Sequence, residues 1–106
     1  MIPKDFKNSI GRLMWWLFVA TRGGEMRLRI MKSIMENPKN ANQLSSEVGV
    51  NYRTIEHHLK VLVENHLVMI MGNGYGKTYF LGEIAQNNSN ILEEIMNQSN
   101  MKGRVN

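Results

Sequence analysis

Between residues 40 and 68 the chain reads NANQLSSEVGVNYRTIEHHLKVLVENHLV, and two helical patterns meet there across a glycine. Leu44 and Val48 stand one turn apart, which predicts a short helix over 42–48 with Asn42 available as its side-chain cap. Gly49 follows, the natural residue where a helix ends and a positive φ is wanted. Asn51 offers a cap for a second helix running to 65, in which Ile55, Leu59 and Leu62 at i, i+4 and i+7 form one apolar stripe. Two helices joined by a short glycine-containing turn have the spacing of a helix-turn-helix.

After His66 the period changes from helical to strand-like. Residues 67–71 (LVMIM) and 77–81 (KTYFL) are β-favouring runs around GNGYG at 72–76, which reads as a hairpin. Placed directly after a helix-turn-helix, such a hairpin is a wing. Gly72, Gly74 and Gly76 also resemble a phosphate-binding loop, but that loop joins a strand to a helix, whereas these lie between two strands. They are expected to supply the φ values of the hairpin tip.

Upstream, Ile10, Leu13, Met14, Leu17 and Phe18 fit a helix over 8–21, and Trp15, Trp16 and Val19 add apolar surface on its other sides. A helix apolar nearly all round is buried on more than one face. Two readings stand: a core helix with two large aromatics, or a helix whose second face meets another subunit. Paired glycines at 23 and 24 break the pattern. A helix over 25–36 follows, with Met26, Ile30, Met31 and Ile34 inward and Arg27, Arg29 and Lys32 on a basic outer flank, ended by Asn37-Pro38. Beyond a polar break at 87–90, Ile91, Leu92, Ile95 and Met96 mark a last helix over 88–99. Residues 1–7 are expected to be a loose start and 100–106 to fray.

The expected fold is therefore α+β. One winged-helix domain spans 1–106, with an N-terminal helix at 8–21, a helical core at 25–65 containing the helix-turn-helix at 42–65, a wing at 67–81 and a C-terminal helix at 88–99. It is a three-helix core plus a two-stranded hairpin, with extra helices at both ends. A chain of 106 residues has a thin stability margin alone, so burying an apolar face against a twin would help.

With 42% hydrophobic and 21% charged residues the composition is that of a globular chain. The absence of cysteine excludes disulfides, thiolate metal sites and cysteine nucleophiles. His57 and His58 point about 100° apart on a helix and do not readily share one ion, and His66 has no acidic cluster beside it, so no metal is expected. No serine–histidine–acid arrangement stands out and Glu93-Glu94 simply faces solvent, so neither catalysis nor a cofactor is expected. The longest apolar run, 13–20, falls short of the roughly 18–20 residues of a membrane span, and no small-residue cleavage site follows it. A cytoplasmic, non-membrane protein is expected. The net charge of +4 suits a polyanionic partner without identifying one.

A helix that enters the major groove needs one face for its own domain and another for base edges. Opposite the stripe of the 51–65 helix lie Tyr52, Arg53, Glu56, His57 and Lys60, concentrated in the half where such helices touch bases. Arg53 suits bidentate pairing with guanine or a phosphate, and Tyr52 can reach either through its hydroxyl. Lys60 suits the backbone, and a neutral His57 can donate to a phosphate. Glu56 is repelled by phosphates unless it accepts from a cytosine amine or pairs with Arg53. Asn51 and Thr54 complete this set at the helix start, and Tyr75 and Lys77 extend it from the wing to the minor groove or flanking phosphates. His58 lies nearer the apolar boundary and reads as structural. A solvated polar face is the alternative for the whole set. Leu13, Trp15, Trp16 and Val19, with Ile91, Leu92, Ile95 and Met96, are the expected dimer interface.

From about residue 13 to 81 the chain resembles the archaeal branch of the arsenic-repressor-like (ArsR-like) winged helix-turn-helix transcription regulators. The matching residues are WWLFVATRGGEMRLRIM, then NANQLSSEVGVNYRTIEHHLKVLVENHLV, then GNGYG leading into TYFL. The resemblance implies a dimeric repressor or activator, with recognition helix 51–65, wing 72–76 and terminal helices forming the dimer. Metal-sensing relatives use cysteine-containing sites, which this chain lacks. As a symmetric dimer on double-stranded DNA it would bind an inverted repeat. Two other classes stay open. One is a winged-helix module for protein interaction, anchored by the double tryptophan. The other is RNA binding, against which stands the lack of an aromatic sheet platform.

Overall fold

The computed structural model describes residues 8–103, save the side chains of Tyr75 and of residues 100–103. The expected loose ends at 1–7 and 104–106 lie outside the described residues. Helix α1 (Ser9–Trp15) starts at Asn8, whose side chain accepts from the Gly11 amide at 2.6 Å, and widens into a π-helical segment (Trp16–Ala20). Helix α2 (Gly24–Glu36) begins against the backbone of that segment. A Cβ at Gly24 would stand 2.7 Å from the Phe18 carbonyl, so only glycine lets the two backbones approach this closely.

Helix α3 (Ala41–Val48) starts one residue earlier than expected, and its cap is Asn40 rather than Asn42. Asn40 Oδ1 accepts from the Gln43 amide at 2.8 Å while the Gln43 side chain accepts from the Asn40 amide at 2.9 Å. That reciprocal box satisfies two otherwise orphaned donors, which Asn42 alone cannot do. Gly49 ends α3 with φ of 82°, and Asn51 caps α4 (Tyr52–Glu64) by accepting from the Thr54 amide at 2.9 Å, both as the sequence indicates.

Strands β1 (Val68–Met71) and β2 (Thr78–Leu81) pair antiparallel, Val68 opposite Leu81 and Met71 opposite Thr78. Gly72 and Gly74 in the connecting turn take positive φ. The hairpin has a third backbone partner that the sequence reading missed: Lys39 and Tyr79 exchange amide–carbonyl bonds of 3.3 and 2.8 Å. A short helix α5 (Glu83–Asn87) precedes α6 (Ser89–Gly103). Helix α5 carries too few residues to display a period, so it escaped notice. Helix α6 continues past 99, so 100–103 are helical rather than frayed.

The core joins Met14 and Leu17 to Ile30 and Met31 of α2, Leu44 of α3, the α4 stripe, and Leu92 and Ile95 of α6, all essentially inaccessible to solvent. Two expectations are corrected there. Arg27 is not on an outer flank but buried, because it supplies hydrogen bonds to the end of the π-helical segment. Ile91, Leu92, Ile95 and Met96 are buried within this one chain, so their stripe packs inside the protomer instead of facing a partner. Among the described residues no helix is long and apolar enough to cross a membrane.

Candidate nucleic-acid interface

Helix α4 sits as its period requires: Ile55, Leu59 and Leu62 are at most 1% exposed. Tyr52, Arg53, Glu56, His57 and Lys60 emerge on the other side, all exposed. Asn51 is also exposed, but its side-chain oxygen is held by the Thr54 amide, and Thr54 is half-buried. His58 is buried, the structural position assigned to it from sequence.

The hairpin lies beside this face. Asn40 and Asn42 from the start of α3, Tyr52 and Glu56 from α4, and Gly74, Lys77 and Tyr79 from the wing border one groove. A second groove continues between Glu56, Lys60 and Glu64 of α4 and Ile70 and Lys77 of the wing. Lys77 thus borders both grooves, as does Glu56 of α4. The Tyr79 phenol between them is buried, and burial first, then the neighbouring Tyr52 and Glu56, raise its pKa. It stays a neutral donor on the groove floor.

Asn42 is a groove residue that the sequence reading spent as a cap; the Asn40–Gln43 box was the signal that freed it. Lys39 is also basic and close to the wing, but its ammonium donates to the Ser33 and Asn37 carbonyls at 2.6 and 3.1 Å and lies 3.8 Å from Glu47. Its charge is engaged within the fold. Tyr75 belongs to the turn, and its side chain lies outside what the structure describes. The wing carries a feature absent from the sequence expectation: Met69, Ile70 and Met71 are all exposed. Among the described residues no three histidine, aspartate or glutamate side chains gather to hold a metal ion.

Of the residues expected at a subunit interface, Trp16 is 53% and Val19 42% exposed, while Leu13 and Trp15 are half-buried. Val19 and Trp15 also line an apolar depression with Phe18, Leu28 and Ile95.

A helix seated on its apolar stripe, a short helix leading into it and a hairpin beside its polar face define a DNA-binding transcription regulator of the winged helix-turn-helix class. The chain belongs to the family described as methanogenesis regulatory protein FilR1, N-terminal domain, whose model matches residues 19–100. No curated protein matches the sequence. Among solved structures, the antimony-specific transcriptional repressor AntR is similar over 97% of this chain and 85% of its own, at 12% identity and a TM-score of 0.69. The homodimeric winged helix-turn-helix DNA-binding domain of Mb0332 from Mycobacterium bovis, a possible ArsR-family regulator, matches 90% of this chain and 82% of its own, at 14% identity and a TM-score of 0.59. MarR from Staphylococcus aureus, solved with salicylate and kanamycin, matches 76% of this chain at 17% identity and a TM-score of 0.58, and the chain spans 59% of its length. At such identities the likeness is one of fold, and it agrees with the winged-helix reading of the sequence.

Proposed function

We propose that this chain regulates transcription by binding double-stranded DNA sequence-specifically as a homodimer, with α4 in the major groove and the wing on the flanking backbone. One observation carries the reading: the exposed side of α4 holds Arg53, His57 and Lys60, and Lys77 of the wing borders grooves lined by Tyr52, Glu56 and Lys60 of that helix. Membership of a family named for a regulatory protein supports a regulatory role for that contact. Arg53 reads a base edge, Tyr52, His57, Lys60 and Lys77 hold phosphates, and Asn51 and Thr54 set the helix start that aims them. The exposed Trp16 and Val19, continuous with the half-buried Leu13 and Trp15, form the dimer surface, and the homodimeric Mb0332 domain of the same fold supports that assignment. A two-fold dimer places its recognition helices on an inverted repeat with half-sites about 34 Å apart.

Selection of bound fragments from a random DNA pool, followed by titration at two salt concentrations, tests this. Arg53→Ala is expected to cost about 1–3 kcal/mol on the selected site and to relax its sequence preference. Lys77→Ala is expected to weaken all sequences alike and to lower the salt slope by about one unit. The exposed apolar wing residues Met69, Ile70 and Met71 favour a second reading, a protein-binding module. Weak, sequence-blind DNA binding unaffected by Arg53→Ala would select that reading instead.

A further inference from the structure

Arg27 is the one basic side chain of α2 that the fold withdraws from water, and among the described residues no carboxylate pairs with it. Its guanidinium reaches two elements at once. Nε donates to the Leu17 carbonyl at 2.9 Å and Nη2 to the Thr21 hydroxyl at 2.7 Å, and that hydroxyl itself donates to the Trp16 carbonyl at 2.7 Å. On the far side Nη1 lies 3.5 Å from His58 Nδ1, on α4. The last carbonyls of a helix lack partners within it, and its C-terminal dipole favours a cation. The end of the π-helical segment therefore compensates this buried charge where no acid does. To accept from a guanidinium, Nδ1 of His58 must carry a lone pair, which requires the neutral ring protonated at Nε2. The turn closes tightly on the pair: a Cβ at Gly23 would stand 3.0 Å from His58 Cε1 and 3.1 Å from Arg27 Nη1.

We propose that Arg27 is a positioning residue for DNA recognition, a strut that fixes α4 against the N-terminal helix through Leu17, Thr21 and His58. The arrangement of the Trp16–Val19 surface is thereby felt at Arg53 and His57, so subunit pairing and operator affinity are coupled. This rests on the DNA-facing role proposed for α4. An arginine in such a protein invites the simpler reading of a phosphate contact, and the two differ in salt dependence.

The test uses a DNA site selected from a random pool and an unrelated duplex, each titrated at two salt concentrations. Arg27→Met is expected to weaken the selected site roughly two- to thirtyfold, the usual span of such couplings, with the unrelated duplex and the salt slope unchanged. Thr21→Val lies outside the helix-turn-helix and removes only the far end of the strut, yet is expected to shift affinity in the same direction. Combined with His58→Gln, its effect falls short of the product of the two, because both act on one chain of contacts. Arg27→Lys, which keeps the charge but not the fork, restores part of the loss. Wild-type affinity in folded Thr21→Val and His58→Gln variants overturns the strut, as does a salt slope lowered by about one unit in Arg27→Met. Should Arg27→Met fail to fold, the other two variants decide. Arg53→Ala runs alongside: if it too leaves the selected site unaffected, the DNA-facing reading of α4 fails, whereas a loss with Arg53→Ala alone removes only the strut.

Discussion

The helix-turn-helix and the N-terminal helix treat their apolar residues differently. Helices α3 and α4 bury Leu44, Val48, Ile55, Leu59 and Leu62 within the chain and turn mainly polar residues outward. The N-terminal helix buries Met14, Leu17 and Phe18 but leaves Trp16 more than half exposed, with Val19 beside it. The first region packs its apolar residues within one protomer and exposes a mainly polar outward face. The second keeps an aromatic anchor in water, the arrangement expected where a second copy covers it. The contrast separates residues that hold the fold from residues proposed above to hold an assembly.

The largest effect that would break this contrast lies in α4. Leu59→Ala is expected to lower unfolding free energy by about 2–5 kcal/mol in a denaturant titration. A loss below about 1 kcal/mol would mean the stripe is not core. Trp16→Ser should leave protomer stability within about 0.5 kcal/mol yet weaken self-association by about 2 kcal/mol or more, measured by sedimentation. A stability loss as large as that of Leu59→Ala would place Trp16 with the core residues and erase the difference between the regions. Gly24→Ala probes the junction: its methyl meets the Phe18 carbonyl, and a destabilisation of about 1–3 kcal/mol is expected from the strain.

The smallest effect is a pH dependence at the same junction. Burial, then the Arg27 charge, then His57 lower the His58 pKa from its usual 6.5. Over the interval between the unfolded and folded values, the unfolded chain holds the proton and the fold does not. Stability conferred by the neutral ring is therefore present above about 6.5, falls as pH drops below it, and levels off once the folded value is passed. Denaturation midpoints at pH 7.5 and 5.5 should show the drop, and His58→Gln should shrink it. A drop of equal size in His58→Gln assigns the dependence elsewhere.

Most of the helix-turn-helix was legible because its signals are local. A stripe at i, i+4 and i+7, an asparagine before it and a glycine before that fix α4 without reference to anything distant, and the polar face follows as the remainder. The missed features depend on partners far along the chain. Arg27 lies one position from Met26 and three from Ile30, and no period on α2 distinguishes a solvated arginine there from one drawn inward by the Leu17 carbonyl. The same holds for the terminal stripe. Its periodicity is plain, but whether Leu92 and Ile95 meet their own protomer or another is decided by how α6 packs against α1. The Lys39–Tyr79 pairing left no trace because a single backbone bridge has no compositional signature.

That bridge has a mechanical consequence. Two backbone bonds tie the linker before α3 to β2 at Tyr79, which stands opposite Ile70, so the hairpin is held as far as the pair next to last before its turn, and only Met71, Thr78 and the turn residues lie beyond. A duplex pushing on the tip would bend the hairpin beyond this mooring point and leave the angle between α3 and α4 unchanged. In the proposed complex the tip can then follow local variation in groove width while α4 keeps its register.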